Sequence, residues 1–239
     1  MDVELRIRRF NPELDQSAHW EAYELEADPS DRVLDLLHQV KWFQDGTLTF
    51  RRSCAHGVCG SDAMLINGRN QLACAVLVRD AGAKISVEAM RGLPLVKDLL
   101  VDQEGFWAKY RDVMPFLVND AIPDDGRERR QSPAERARFE DTSRCILCAA
   151  CTTACPVFWT NPAFVGPAAI VNAHRFIFDS RDTAHAERLE LMADADGVWR
   201  CRTVFNCVEA CPKGINVTRA IMEVTREIQG PGLVELESA

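Results

Sequence analysis

Alternation marks the first part of the chain. In VELRIRRF, starting at Val3, apolar and charged residues take turns, so one face of an extended strand turns inward and the other meets water. EAYELEA, starting at Glu21, repeats the pattern. The period then changes. DPSDRVLDLLHQVKWF opens with a proline and acids, and Val33, Leu34, Leu37, Val40 and Phe43 recur at helical spacing. Further strands are predicted around 48–50, 63–66, 75–78 and 84–87, with Asn67-Gly68 as a hairpin signal between two of them. One helix among several strands predicts a small α+β domain.

Beyond Gly92 the pattern becomes helical. LVKDLLVDQEGFWAKYRDVMPFLV reads as one or two amphipathic helices, and the charged 120–133 stretch, with Gly126 and two prolines, reads as a linker or exposed loop. Short helices then alternate with cysteine runs. Pro167 suits a helix start, VTRAIMEVTREIQ forms the last helix, and GPGLVELESA is expected to be a mobile tail. The organisation expected is a domain over 1–100, a helical domain over 101–230 and a tail over 231–239.

Composition narrows the function classes. The 239 residues are 47% hydrophobic and 27% charged, as in ordinary globular proteins. The formal charge of −8 offers no basic face for nucleic acid, and the basic run at 127–138 reads as a solvated surface. MDVELRIRRF has no apolar signal core, so the ten cysteines are expected in a reducing compartment, where clustered thiols bind metal or do redox work. The stretch 145–174 contains no Asp, Glu, Lys or Arg. Pro156, Pro162, Gly166 and Pro167 break it as a membrane span, and it reads as backbone wrapped around buried inorganic groups, ending in a surface for another apolar body.

The cysteine spacing carries the chemistry. CILCAACTTACP, from Cys145, fills the C-x2-C-x2-C-x3-C-P form that holds cubane iron–sulfur clusters in bacterial ferredoxins. CRTVFNCVEACP, from Cys201, fits the same form with Val204 in place of one cysteine. In this form the fourth cysteine of each run serves the other cluster. One centre is therefore expected from Cys145, Cys148, Cys151 and Cys211, and another from Cys155, Cys201 and Cys207. Valine cannot bind iron, so the two runs predict a [4Fe–4S] beside a [3Fe–4S]. Zinc is the competing reading, but zinc sites have no use for the third cysteine at x2 spacing or the C-P endings.

CAHGVCGSDAMLINGRNQLAC, from Cys54, approximates the plant-type C-x4-C-x2-C form with a later cysteine. Cys54, Cys59 and Cys74 fit a [2Fe–2S] centre, and Asp62 occupies the third position. Its carboxylate either binds iron or caps the turn; ligation is expected because two irons call for four protein ligands. His56, His174 and His185 are isolated and read as surface or satisfied core residues. Trp20, Trp42 and Trp107 read as core. Trp159, four residues after Cys155, also reads as core by default but sits where a redox-partner pocket could form. The chain has no dinucleotide fingerprint, P-loop or nucleophile–base motif.

In the order of RRSC, GVCGSD and LAC, then RCILCAACTTACPVFW, then WRCRTVFNCVEACPKGINVTRAI, the chain resembles the iron–sulfur subunits of succinate dehydrogenase (respiratory complex II) and its sister, quinol:fumarate reductase. The resemblance runs from about Val3 to Ile228. It implies a plant-ferredoxin-like β-grasp domain followed by an all-α bacterial-ferredoxin-like domain. It implies a flavoprotein subunit oxidising succinate to fumarate on FAD, electrons passing through [2Fe–2S], [4Fe–4S] and [3Fe–4S] to a membrane quinone, and membrane-anchor subunits with or without haem b. It places the chain peripherally on the cytoplasmic face of a bacterial plasma membrane, and supports Asp62 as a ligand. A quinone pocket is expected near Pro156, Trp159 and Arg202. Here the chain departs from the family: Thr160 follows Trp159 where a second tryptophan is usual, and Arg202 stands where a histidine is usual. Fumarate reduction, and a soluble ferredoxin-like carrier without a fixed enzyme, are the alternatives.

Overall fold

The structure is a computed structural model and describes residues 1–123 and 125–230; the expected tail at 231–239 lies outside the described residues. The chain divides into two units. The first comprises Met1–Glu104 with the short segments Ile146–Ala154 and Ala210–Pro212; the second comprises Gly105–Cys145, Cys155–Glu209 and the residues from Lys213 on.

The first unit is built on a five-stranded sheet in the order β2-β1-β5-β3-β4. Its strands are β1 (Asp2–Arg9), β2 (His19–Glu26), β3 (Ala63–Ile66), β4 (Arg69–Leu72) and β5 (Lys84–Glu88). β1 runs parallel to β5 and antiparallel to β2, and β3 is antiparallel to both β4 and β5. This is the expected β-grasp arrangement. The alternation along β1 buries Val3, Leu5 and Ile7, and α1 (Val33–Gln39) contributes Val33, Leu34, Leu36 and Leu37 to the same core. Past Gln39 the helix widens into a π turn over Val40–Gln44.

The alternation also buries Arg9, the fourth inward position of β1. Its guanidinium donates to Asp98 Oδ1 at 2.9 Å, Glu21 Oε2 at 2.9 Å, the Tyr23 hydroxyl at 2.5 Å and the Asp45 carboxylate. A buried cation is tolerable only with partners of this kind.

Three local expectations are corrected. Residues 48–50 do not form a strand; the Thr49 N–H goes to Asp98 Oδ2 at 2.8 Å, a side chain and not a ladder partner. Asn67 and Gly68 do turn a hairpin, with φ of 49° and 79°, but the return strand is β4, and residues 75–78 instead turn into the short helix α2 (Val78–Ala81). The front of the segment read as amphipathic helix is a hairpin, β6 (Leu95–Lys97) with β7 (Leu100–Val101), turning at Asp98 with φ 48°. Buried Asp98 holds that turn by accepting from Arg9 and from the Phe10 and Thr49 amides. Periodicity cannot register such a long-range anchor.

α3 (Glu104–Asp112) leads into the second unit, and residues 113–123 and 125–132 carry no helix or strand. Short helices follow: α4 (Pro133–Ala137), then, in the segment assigned to the first unit, α5 (Ala150–Thr153), and then α6 (Pro156–Thr160). The central element of the second unit is α7 (Pro167–Ile177), buried on nearly every side and packed against α8 (His185–Met192) and α10 (Val217–Gln229), with α9 (Asn206–Glu209) against α10. Its two buried polar residues are partnered. Asn172 bonds the Ala168 carbonyl at 2.8 Å, and His174 lies between Thr142 Oγ1 at 3.1 Å and Glu223 Oε2 at 2.8 Å. His174 is thus a satisfied core histidine, as expected.

Three tryptophans expected in the core are corrected, Trp159, core by default, being 44% exposed. Trp20 is 40% exposed, with the Arg6 guanidinium over its ring. Trp42 is 63% exposed and shields only one face, stacked at 4.8 Å on His38. Among the described residues, no helix is long and apolar enough to cross a membrane.

Candidate metal centres

The loop after residue 52 bends sharply because Ala55, Gly57 and Gly60 all adopt positive φ. That conformation turns successive amides inward. The Cys59 N–H donates to Cys54 Sγ at 3.3 Å, the His56 N–H to the same sulfur at 3.5 Å, and the Gly57 N–H to Cys74 Sγ at 3.2 Å. The amides of His56, Cys59 and Val58 pull the Cys54 thiol down to about 6, a thiolate at neutral pH. Cys59 Sγ lies 3.2 Å from Ser61 Oγ.

Asp62 and Cys74 complete this group, both buried. Asp62 Oδ2 accepts from the Cys74 N–H at 2.6 Å, whereas Asp62 Oδ1 is buried without a hydrogen-bond partner. Burial, and then the neighbouring Asp62 carboxylate, push the Cys74 thiol up to about 12. A buried carboxylate beside a buried thiolate is unfavourable unless positive charge joins them. Ferric iron supplies that charge, and the orphaned Oδ1 supplies a donor atom, so the residues fit a [2Fe–2S] group.

The second set is divided between the units: Cys148, Cys151 and Cys211 belong to the first and Cys145 to the second. Cys148 and Cys151 are buried, and Leu147 and Ala149 around Cys148 take positive φ, 56° and 64°, an uncommon state for residues with a Cβ. Asn172 Nδ2 stands 3.6 Å from Cys145 Sγ.

The third set lies wholly in the second unit. Cys155, Cys201 and Cys207 line one cavity together with Val204. Thr203 and Phe205, flanking Val204, have φ of 48° and 65°, so the loop curls around the cavity. Burial first, and less strongly repulsion from a charged Cys201, raise both the Cys155 and Cys207 thiols. A bound iron–sulfide group relieves that repulsion. Thr218 Oγ1 lies 3.5 Å from Cys207 Sγ. Pro156 and Arg202 line the same cavity; Trp159 does not, and is 44% exposed. The Thr160 hydroxyl bonds back to the Pro156 carbonyl at 3.3 Å and the Val157 carbonyl at 3.2 Å, so it is spent on its own helix.

Among the described residues no three Cys, His, Asp or Glu side chains converge tightly enough to hold a single ion. A polynuclear cluster makes no such demand, because it seats each ligand at a separate corner. The cysteine motifs do not mark Ser61, Asn172 or Thr218 as site residues: Ser61 stands two positions from Cys59 and Thr218 eleven from Cys207, whereas Asn172 comes from a helix twenty-seven positions from Cys145.

Comparison with known proteins agrees with this geometry. Residues 4–108 match the 2Fe-2S iron-sulfur cluster binding domain and residues 138–212 the 4Fe-4S dicluster domain. The succinate dehydrogenase iron-sulfur subunit of Coxiella burnetii is 43% identical over 93% of this chain and 95% of its own length. The fumarate reductase iron-sulfur subunit of Mycobacterium tuberculosis is likewise 43% identical, over 92% of this chain and 90% of its own. A chain of the Mycobacterium smegmatis Sdh1 complex in the apo form superposes with a TM-score of 0.85 at 25% identity, covering 97% of this chain and 99% of that one. The chain belongs to the family of succinate dehydrogenase iron–sulfur subunits, to which the fumarate reductase subunits are related.

Proposed function

We propose that this chain is the electron-transfer subunit of a succinate:quinone oxidoreductase, taking electrons from FAD of a flavoprotein subunit and delivering them through [2Fe–2S], [4Fe–4S] and [3Fe–4S] centres to a membrane quinone. The observation that carries this reading is the cavity lined by Cys155, Cys201 and Cys207, where a fourth cysteine is replaced by Val204. A soluble two-cubane carrier has no need for that substitution. The clusters supply one-electron chemistry when bound, and the chain supplies their seats. Cys54, Cys59, Asp62 and Cys74 hold the first; Cys145, Cys148, Cys151 and Cys211 the second; Cys155, Cys201 and Cys207 the third. Amides aimed at Cys54 and Cys74 sulfur stabilise negative charge there and so raise the ease of reduction.

Pro156 and Arg202 border the third seat and are proposed, with Trp159, to form this chain's part of the quinone pocket. The Thr160 hydroxyl is bonded to its own helix, whereas the Arg202 guanidinium donates to the Trp199 carbonyl at 3.2 Å through Nη1 and keeps further N–H groups for a quinone carbonyl. Membrane-anchor subunits would complete that pocket and hold the chain on the cytoplasmic face of the plasma membrane. The test is EPR at several temperatures on the anaerobically purified complex, with iron and acid-labile sulfide analysis. Three distinct signals are expected; zinc in place of iron would overturn the proposal.

The ligand role of Asp62 is tested separately. Asp62→Ala is expected to lower succinate-to-quinone turnover by at least roughly tenfold, because even outer-shell losses cost that much. Iron should fall with it, while Asp62→Cys keeps the [2Fe–2S] spectrum. Full iron and an unchanged spectrum in Asp62→Ala would reduce Asp62 to a turn cap. A second reading, a quinol:fumarate reductase, is favoured by the Mycobacterium tuberculosis relative, which is as similar as the succinate dehydrogenase one. Steady-state assays with ubiquinone against a menaquinol analogue separate the two.

A further inference from the structure

The loop that carries Cys59 meets the segment that carries Cys148 at Gly60, and both belong to the same unit. Gly60 has φ 69°, and a Cβ there would lie 2.5 Å from Cys148 Cβ and 2.9 Å from its Cα. Those separations are far inside van der Waals contact, so the Cys148 main chain rests where any other side chain would begin. Gly57 in the same loop has φ 76° and nothing within 4 Å of its would-be Cβ. Gly57 therefore needs only the backbone freedom, whereas Gly60 also needs the empty volume.

The opposing segment is fastened in place. Asn70 Nδ2, on β4, donates to the Ala150 carbonyl and to Thr153 Oγ1, each at 2.9 Å, and Thr153 Oγ1 reaches Met90 Sδ at 3.4 Å. Asn70 thus holds α5, two residues past Cys148, against the sheet. One peptide link and one contact separate Cys59 from Cys148.

We propose that Gly60 is a positioning residue for electron transfer: it lets the first cluster loop lie directly on the Cys148 main chain, and Asn70 holds that contact closed. The inference rests on the ligand sets proposed above. The step moves one electron and no atoms; the centre seated by Cys59 is oxidised by one electron, the centre seated by Cys148 is reduced by one, and no bond forms or breaks. Separation and the matter between the two seats then govern the rate, and both are set by a residue that binds no iron.

The test compares the anaerobically purified complex with its Gly60→Ala, Asn70→Ala and Gly68→Ala variants. Gly68 is a control, with φ 79° and nothing within 4 Å of its would-be Cβ, so its substitution brings backbone strain without a clash. Iron and acid-labile sulfide are counted. The magnetic interaction between the first two centres is read from low-temperature EPR of the fully reduced complex, and succinate-to-quinone turnover is measured. In Gly60→Ala the interaction is expected to weaken and turnover to fall on the order of tenfold, as ångström-scale misplacement of reacting groups does, with cluster content retained. Gly68→Ala should match the parent in both. Should Gly60→Ala shed iron, Asn70→Ala decides, since it loosens the same contact from the other side without touching the cluster loop. Unaltered interaction in the iron-replete Gly60→Ala complex, or in Asn70→Ala where that variant decides, overturns the inference. A parent complex without three iron–sulfur centres instead overturns the function proposed above, and this inference with it.

Discussion

Val204→Cys is expected to turn the third centre from [3Fe–4S] into [4Fe–4S] and to slow quinone reduction sharply. Val204 lines the cavity with Cys155, Cys201 and Cys207, so a thiol at 204 enters a site that already presents three. The loop needs no rebuilding, because Thr203 and Phe205 on either side already hold the positive φ that curls it. Val204 is 48% exposed, so the corner it leaves unheld faces outward, where an iron would be lost to solvent. A fourth thiolate retains that iron and so changes the cluster type. Cluster type and net charge set potentials over a range of about a volt. A fall of about 120 mV makes a one-electron delivery to this centre about a hundredfold less favourable. Turnover to quinone should drop accordingly, while succinate oxidation with an artificial acceptor that draws from the flavin should hardly change. The check is the low-temperature EPR signal of oxidised [3Fe–4S]. If it persists at parental intensity in the variant, position 204 does not determine cluster type.

The parts of this site legible in the sequence were those set by spacing. Cys155, Cys201 and Cys207 were grouped by their places in two interleaved runs, and they line one cavity. β1 and α10 likewise follow from local periodicity, because each buries a single regular face. What failed was whatever depends on a distant partner. The hairpin around Asp98 is held by Arg9, eighty-nine positions away, and reads locally as helix. Trp20 and Trp42 lie among apolar residues and yet face outward, because a cation–π contact and a stacked histidine cover only part of each ring. Gly60 reads like any loop glycine until Cys148 is seen against it. Asp62 is intermediate: its place in the motif is visible in the sequence, but the buried, partnerless oxygen that suits it to a ligand's role is not.

Arg188→Leu should cost the helical unit more stability than any surface change, because Arg188 is a charged residue of α8 that is fully buried. Arg188 and Asp182 both have fully buried side chains, paired at 2.5 Å. The guanidinium also donates to the Met114 carbonyl at 3.0 Å and to the Phe116 carbonyl at 2.8 Å, and it packs over the Phe176 ring. Asp182 in turn accepts from the Val118 amide at 2.9 Å and the Ala184 amide at 2.8 Å. One cation thereby ties α8 to residues 114–118, a segment with no helix or strand of its own. Leucine fills part of the volume but leaves a buried carboxylate and two carbonyls without their donor. Breaking a buried pair from one side costs about 3–5 kcal/mol. At about 2–4 °C per kcal/mol for a chain of this size, the unfolding midpoint should fall by roughly 6–20 °C. Calorimetry of the intact complex reads it, with cluster content checked below the transition. Arg188→Leu combined with Asp182→Leu should recover part of the loss, because the stranded charge is gone, but not all, because the Met114 and Phe116 carbonyls and the Val118 and Ala184 amides are left unpaired. A double variant as unstable as the single one would mean that the hydrogen bonds to the backbone, and not the ion pair, hold the segment down.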